Sequence, residues 1–519
     1  LATLQTIWLA LLLVILLVPG FYGLHLFLLA VLAEHRRHRV RAEQERIIRE
    51  YLRCVPEEHW PRVTTQIPLY NEQTVARRVI EAAARMDYPP ERHEIQILDD
   101  SSDGTREIVD RAAAELRERG YRVEVVRRDN REHYKAGALA HGLKAARGEF
   151  IAIFDADFLP GRNFLRRLVP LLASDPLAAC VQARWGHLNA RESWLTEALA
   201  LGIDGHFCVE QTARAGSGLL FNFNGTAGIW RRAAIEDPRV GGWQGDTITE
   251  DLDLSYRAQL AGWKMIYCGD EAVPAEIPAD VNALKAQQRR WATGSIQTAR
   301  KLLPAVWRSR LSLLQKLEAS FHLTQYSVNL FMVLTIGFGR ALLELAPAEQ
   351  HPYLFLGYSS TCVVAAAGSW FAYLYARWTL PGGDLNLLRL VKLIVLGLGL
   401  SVNNSVAVVA GLFQRGGEFV RTPKSGARDG ASAVRQPSPY LAIRSGLWLL
   451  ELLIGGLCLL QWAWFLREDS YFEGTFLLLY AVGLIMMGWA SRPGAGRSPP
   501  TDAHPASPPT LPAPAEGLA

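Results

Sequence analysis

Five short clusters hold side chains of the types that act on charged, oxygen-rich ligands. Gln66-Ile-Pro-Leu-Tyr-Asn-Glu72 carries Tyr70 and Glu72, and Asp99-Asp-Ser-Ser-Asp-Gly-Thr105 carries Asp99 and Asp100. Carboxylates at a strand end can hydrogen-bond a ribose or a base N–H, although Ser102 and Asp103 equally suit a helix N-cap. Phe154-Asp-Ala-Asp-Phe158 sets Asp155 and Asp157 two residues apart. Such a pair can hold Mg2+ or Mn2+ against a diphosphate and neutralise a departing group; a solvated turn would use the same residues. Lys135, in Lys135-Ala-Gly137 at a helix start, can meet phosphate oxygens together with that helix's N–H groups. Thr249-Glu-Asp251 opens a helix through Leu260, where acidic residues also complement the macrodipole. Gln287-Gln-Arg-Arg-Trp291 lies in a helical stretch that approaches an apolar run, as an interfacial Arg/Trp helix would. Neither a Walker-type phosphate loop nor a GxGxxG fingerprint occurs, which excludes those nucleotide folds.

These clusters need elements to position them. Strand-like Arg62 to Pro68, Glu94 to Leu98, Arg122 to Val126 and Phe150 to Phe154 alternate with helix-like Thr74 to Met86, Thr105 to Arg119 and Ala136 to Ala146. That alternation predicts an α/β domain with a mostly parallel sheet covered on both faces. Ligands in such sheets bind beyond the carboxyl ends of the strands, where the clusters fall.

The polar middle, Glu34 to Lys316, sits between apolar ends in a chain of 519 residues. Only 20% of residues are charged, against about 25% in an average soluble domain, so a wholly soluble enzyme is excluded. Net charge is +4, too small to indicate nucleic acid. Six cysteines (Cys54, Cys180, Cys208, Cys268, Cys362, Cys458) lie far apart with no CxxC pair, so neither a zinc site nor a disulfide framework is expected.

Ile7 to Ala33 is long enough to span a bilayer, and its length and flanks argue against a cleaved signal peptide. Seven arginines between Glu34 and Arg53 place the following side in the cytoplasm. Later apolar runs are Ala319 to Leu345, Leu354 to Ala376, Leu390 to Phe413, Gly446 to Leu466 and Gly474 to Ala490. The basic segment Gln414 to Ser445 reads as cytoplasmic, so one run must fail to cross. Leu390 to Phe413 is expected to lie at the interface or re-enter, because Ser401-Val-Asn-Asn-Ser405 puts polar groups at its centre. The expectation is five spans in an inner or plasma membrane, N-terminus out and C-terminus in, with a disordered Pro/Ala-rich tail over residues 491–519.

The ordered set Asp99/Asp100, Asp155-x-Asp157, Thr249-Glu-Asp251 and Gln287-x-x-Arg290-Trp291 resembles the membrane-embedded family 2 glycosyltransferases of the cellulose, hyaluronan and mannan synthase group. Gln66-Ile-Pro-Leu-Tyr-Asn-Glu72 and Gly225-Thr-Ala-Gly-Ile-Trp230 look closest to the plant cellulose-synthase-like A and C types and bacterial relatives. The resemblance covers roughly residues 60 to 445. It implies a GT-A catalytic domain over 61–281, preceded by a span (1–33) and a basic cytoplasmic linker (34–60). It further implies interfacial helices over 282–316, helix pairs crossing at 317–377 and 446–490, and an interfacial helix with a gating-like loop over 388–445.

The resemblance also implies roles. Tyr70, Glu72, Asp99, Asp100, Lys135, Asp155, Gln287 and Arg290 would hold a nucleotide-diphospho-sugar, with Asp155 and Asp157 on the metal. Asp251 would be the general base and Glu250 its companion. Trp291 would stack on the acceptor sugar, with Thr226 and Gly228 beside it. Phe419, Thr422 and Lys424 match the family's gating loop, in which Arg421 replaces the usual valine. The implied activity is inverting, processive extension of a β-linked polysaccharide from UDP-glucose or GDP-mannose, passed across the membrane. The alternatives are a non-processive enzyme making a β-glycosyl ceramide or diacylglycerol, and a transporter or sensor with a nucleotide-binding domain. The last would not need Trp291 beside a base, or a D-x-D.

Overall fold

The computed structural model describes residues 2–345, 352–383, 385–417, 422–424, 426, 440, 444–468 and 471–494. Phe419, Arg421 and the tail after residue 494 lie outside the described residues. In the first part of the chain the elements are α1 (Ala2–Cys54), β1 (Val63–Leu69), α2 (Ala76–Ala84), β2 (His93–Asp99), α3 (Thr105–Glu118), β3 (Val123–Val126), α4 (Tyr134–Ala145) and β4 (Phe150–Ile153). Then come α5 (Phe164–Ala173), β5 (Ala178–His187), α6 (Trp194–Gly205), α7 (Thr212–Gly216), β6 (Gly228–Arg231), α8 (Arg232–Ile235), α9 (Glu250–Leu260) and β7 (Lys264–Ala275). The last are helices: α10 (Val281–Arg308), α11 (Leu313–Thr324), α12 (Ser327–Leu345), α13 (Pro352–Thr379), α14 (Leu387–Phe413), α15 (Trp448–Arg467) and α16 (Tyr471–Ser491).

The seven strands form one sheet in the order β3-β2-β1-β4-β6-β5-β7. β1 pairs parallel with β2 and β4, β2 with β3, and β5 with β7, whereas β6 runs antiparallel to both its neighbours. This is the mostly parallel, two-sided α/β sheet expected from the alternation. β1 is buried along nearly its whole length despite Thr64, Thr65 and Gln66. The two threonine hydroxyls find partners in Glu94 Oε1 (2.6 Å) and His93 Nε2 (2.8 Å), which removes the cost of burying them. The register pairs Leu69 with Asp99 and Gln66 with Ile153, so β1, β2 and β4 end at one edge. That edge is where Tyr70, Asp99, Asp100 and Asp155 emerge.

The stretch read as a linker is instead a continuation of the first helix. α1 runs unbroken for 53 residues through Pro19, and its polar half packs on the catalytic domain. Ile48 joins the main core, Arg41 pairs with Asp270 at 2.8 Å, and Gln44 Nε2 donates to the Tyr267 carbonyl at 2.9 Å. Arg41, Gln44 and Ile48 therefore tie the helix to the sheet.

Among the described residues, Leu13–Cys54, Leu387–Phe413, Trp448–Arg467 and Gly474–Ser491 are long and apolar enough to cross a membrane. α14 is thus continuous and of spanning length, and its polar centre has an answer the sequence did not reveal. Ser401, Asn403, Asn404 and Ser405 are all buried in protein, with Asn403 Nδ2 donating to the Lys285 carbonyl at 3.2 Å. Lys285 in turn is enclosed with Glu451 at 2.5 Å, joining α10 to α15.

Candidate active site

The expected clusters sit on strand ends or helix starts, apart from Gln287–Trp291, which lies within α10. β4 ends at Ile153, and the turn after it presents Asp155, whose own N–H donates to Thr226 Oγ1 at 2.9 Å. Thr226 belongs to a tight turn in which Gly225 (φ +82°) and Ala227 (φ +56°) both take left-handed backbone conformations. An alanine held there costs of order 1–3 kcal/mol. That turn aims the Gly225 carbonyl at Lys135 Nζ (2.8 Å), and the same ammonium reaches Asp155 Oδ1 at 2.5 Å. α4 brings Lys135 in by a second strained entry, with positive φ at His133 and Tyr134. Gly137 is required in its first turn, because a Cβ there would lie 2.1 Å from the Glu132 carbonyl oxygen.

α9 opens beneath this group with Glu250 and Asp251. Asp251 Oδ1 accepts the Leu252 N–H at 2.8 Å, while Oδ2 faces Gly225 so closely that a Cβ on that glycine would stand 2.9 Å away. Enclosure raises both carboxyls, Glu250 to about 7 and Asp251 to about 6. Mutual repulsion adds to the rise at Glu250, and the Lys135 ammonium opposes it at both. α10 supplies Gln287, Arg290 and Trp291 on successive positions of one face. Arg290 donates from Nη2 to Thr422 Oγ1 at 3.1 Å. Enclosure lowers its guanidinium to about 10, against the pull of Asp155 and Glu250, so it stays charged at neutral pH. Trp291 meets Trp185 at 6.4 Å between ring centroids, and Trp185 also packs on Phe158 and Phe207 at 5.1 and 5.3 Å.

Asp157, buried on the same turn as Asp155, holds Lys424 Nζ at 2.6 Å, and Glu72 Oε1 approaches that ammonium at 3.3 Å. Asp155 and Asp157 therefore each hold a cationic nitrogen. Among the described residues no cluster of three or more His, Cys, Asp or Glu ligands is present.

Several of the expected residues already have partners within the chain. Asp99 is buried, accepting from the Ser101 N–H at 3.0 Å and pairing with Arg127, so it fastens its turn rather than presenting a free carboxylate. Asp100 is gripped by Arg128 through two nitrogens at 2.9 and 2.6 Å. Thr226 and Gly228 are both buried, the hydroxyl engaged with Asp155 N–H and the glycine within β6 against Val181 and Phe223. Arg127, Arg128 and Arg131 were not singled out by sequence, yet Arg131 stacks 3.2 Å above the Tyr70 ring. Their signal was available: three arginines directly after β3, at the ligand-binding edge of the sheet.

The model of the family described as "Glycosyltransferase like family 2" matches residues 61–294. The chain is 33% identical over 443 residues to glucomannan 4-beta-mannosyltransferase 7 of Arabidopsis thaliana, covering 83% of this chain and 76% of that relative. It is 42% identical over 256 residues to glucomannan 4-beta-mannosyltransferase 2 of the same plant, covering 49% of this chain and about half (48%) of that relative. A solved structure described as the mannosyltransferase PcManGT from Pyrobaculum calidifontis in complex with GDP-Man and Mn2+ is similar at 22% identity. It covers 75% of this chain and 99% of that one, with a TM-score of 0.44.

Proposed function

Because the chain belongs to glycosyltransferase family 2, as its match over residues 61–294 and its 33% identity to a plant relative over 83% of this chain require, we propose that this enzyme extends a β-linked mannan-type polysaccharide from a nucleotide-diphospho-mannose. The observation that carries this reading is the single charged cluster drawn from four segments: Asp155, Lys135, the Glu250–Asp251 pair and Arg290. The choice of mannose leans on what the relatives are named for.

The residues allot the chemistry as follows. Tyr70, Glu72 and Asp100 line the edge that receives the nucleoside, with Arg131 held flat on Tyr70. Lys135 and Arg290 supply fixed positive charge for the diphosphate. Asp155 and Asp157 present hard oxygens where two ammonium groups already sit, which fits Mg2+ or Mn2+. When bound there, that ion would offset the negative charge of the leaving diphosphate. Trp291, braced by Trp185, offers an aromatic face to the acceptor's terminal sugar.

Asp251 Oδ2 takes the proton of the acceptor hydroxyl as the oxygen forms its bond to C1 of the donor sugar. The C1–O bond to the diphosphate breaks on the opposite side, so an α-linked donor gives a β-linked product. Nucleoside diphosphate departs, and Asp251 returns its proton to solvent. The raised carboxyl suits this task, because a base titrating near neutrality is a better proton acceptor than an ordinary aspartate.

For placement, the arginine-rich half of α1 supports a cytoplasmic side for the sheet. α14 is held near its start by the catalytic domain and further along by α10, which supports the interfacial reading. Lys392 pairs with Glu197 at 2.5 Å near its start, Thr293 Oγ1 donates to the Ala407 carbonyl at 3.1 Å, and Arg300 Nη1 donates to the Leu412 carbonyl at 2.6 Å.

The test is turnover by purified protein in nanodiscs with Mn2+ or Mg2+, comparing GDP-mannose with UDP-glucose. Products would be sized and digested with linkage-specific hydrolases. Asp251→Asn is expected to lose at least a hundredfold in kcat while still binding nucleotide. Full activity in that variant removes Asp251 from the base role, and a short lipid-bound product overturns polymer extension.

A further inference from the structure

A cavity of about 300 Å3 opens where α10, α14 and the approach to α15 meet. Among the described residues its wall includes Lys285, Arg289, Arg290 and Arg444, together with Asn403 and Ser445, and no aspartate or glutamate. None of Asp155, Asp157, Glu250 or Asp251 lines it, so it is not the donor cleft.

The four cations are not equivalent. Lys285 is already neutralised by Glu451 and hydrogen-bonded to Ser491 Oγ at 2.6 Å. Arg290 is bound to Thr422. Arg289 and Arg444 are exposed, and neither has a carboxylate within ion-pair distance among the described residues. Two unneutralised guanidinium groups, one on α10 and one just before α15, in a cavity whose described lining has no acid, match the oxygens of a phosphate, to which arginine binds in bidentate fashion. The volume fits a small polar headgroup and little more.

The surroundings indicate the source. Arg444 stands four residues before α15, and the surfaces flanking the cavity are bare hydrocarbon: Phe413 at the end of α14 is 80% exposed, Leu449 52% and Leu453 63%. A phosphate carrying acyl chains can satisfy both halves of this place at once, head in the cavity and tails on those side chains. Basic pockets between helices on the cytoplasmic side of a membrane take anionic lipid headgroups on the same principle.

We infer that this cavity is a seat for the phosphate headgroup of an anionic phospholipid, held by Arg289 and Arg444 beside the Gln287–Trp291 segment. The inference rests on the membrane placement proposed above. Because Arg290 forms part of the wall, an occupant sets the charge next to an arginine that faces Asp155 and Glu250.

The test uses the full chain in nanodiscs of phosphatidylcholine, alone or mixed with phosphatidylglycerol, with retained lipid measured by native mass spectrometry and turnover measured alongside. Each arginine near a membrane surface contributes roughly fivefold to such binding, so Arg289→Gln/Arg444→Gln is expected to retain phosphatidylglycerol at least about tenfold more weakly. Arg310→Gln, an exposed arginine outside the cavity, should leave retention unchanged. Basal turnover in phosphatidylcholine should persist in the double variant. Wild-type retention in the double variant, or an equal loss in Arg310→Gln, overturns the site. Inorganic phosphate that displaces the lipid signal completely at millimolar concentration, with no preference for the lipid, overturns the lipid source. Absence of turnover in every disc, with lipid retention lost as expected, counts against the proposed reaction and leaves the headgroup seat standing.

Discussion

Lys424 Nζ lies 2.6 Å from Asp157 Oδ1 and shares its charge with Glu72, so a side chain 267 positions further along the sequence closes the second carboxylate of the D-x-D pair. The segment carrying it is pinned from both sides. Thr74 Oγ1 donates to the Lys424 carbonyl at 3.1 Å, and the Gly426 N–H donates to Glu276 Oε2 at 3.0 Å. An ammonium and a divalent cation cannot occupy the same oxygens. Lys424→Met is therefore expected to tighten Mn2+ binding in the absence of donor by roughly tenfold, the factor for removing one competing charge at this distance. Electron paramagnetic resonance of free Mn2+ reads this directly. Unchanged or weaker binding would mean that Lys424 does not compete for Asp157.

The pH dependence follows from Glu250 and Asp251. With Asp251 as the proposed base, which works only when ionised, kcat should rise with pH through about 6 to 7. Lys135 holds both carboxyls lower than burial alone would, so Lys135→Met should shift that acid limb to higher pH, and Lys135→Arg should restore it. Stability runs the other way. Ordinary unfolded carboxyls titrate near 4, the folded pair higher, so ionising them costs stability as pH rises between those values. Asp251→Asn should thus melt at a higher temperature than the wild type at pH 8 and gain less at pH 5. A limb unmoved by Lys135→Met would detach the lysine from the base.

Much of this centre was legible because its residues emerge where elements begin and end. The polar residues after Leu69, Leu98 and Phe154 had to lie at one sheet edge once the strands were parallel, and Glu250 had to open a helix. What stayed hidden depends on three-dimensional partners. Nothing local told that Asp99 would be consumed by Ser101 and Arg127, or that Thr226 would be turned inward onto Asp155. The surroundings of α14's polar centre stayed hidden for a related reason. Four polar residues in an apolar run are intolerable in lipid, but here they face α10 and other protein. The helical character of residues 34–54 was masked by charge, because periodicity says little where one face packs through arginine and glutamine.

Trp291 is held at its post by Trp185, itself wedged between Phe158 and Phe207, so its ring orientation is set before any acceptor arrives. Trp291→Ala should raise the acceptor KM by roughly tenfold, the worth of one aromatic contact, while donor hydrolysis by water continues. Trp291→Tyr should recover most of the loss. Equal loss of hydrolysis and transfer would show instead that the tryptophan shapes the donor site.

The disposition of α14 has a simple geometric consequence. Its 27 residues extend about 40 Å, more than the roughly 30 Å of a bilayer core, so its two ends lie on opposite sides if it crosses and on the same side if it lies flat. Its contacts favour the second arrangement, since Lys392 near one end binds Glu197 of the catalytic domain and Leu412 near the other accepts from Arg300 of α10. Leu385 and Phe413 are exposed positions flanking and closing the helix. Cysteines placed there in a background without the native thiols should both react with a membrane-impermeant maleimide only from the cytoplasmic face. Labelling of the two positions from opposite faces would make α14 a true span, and would move the segment around Arg415 to the other side of the membrane.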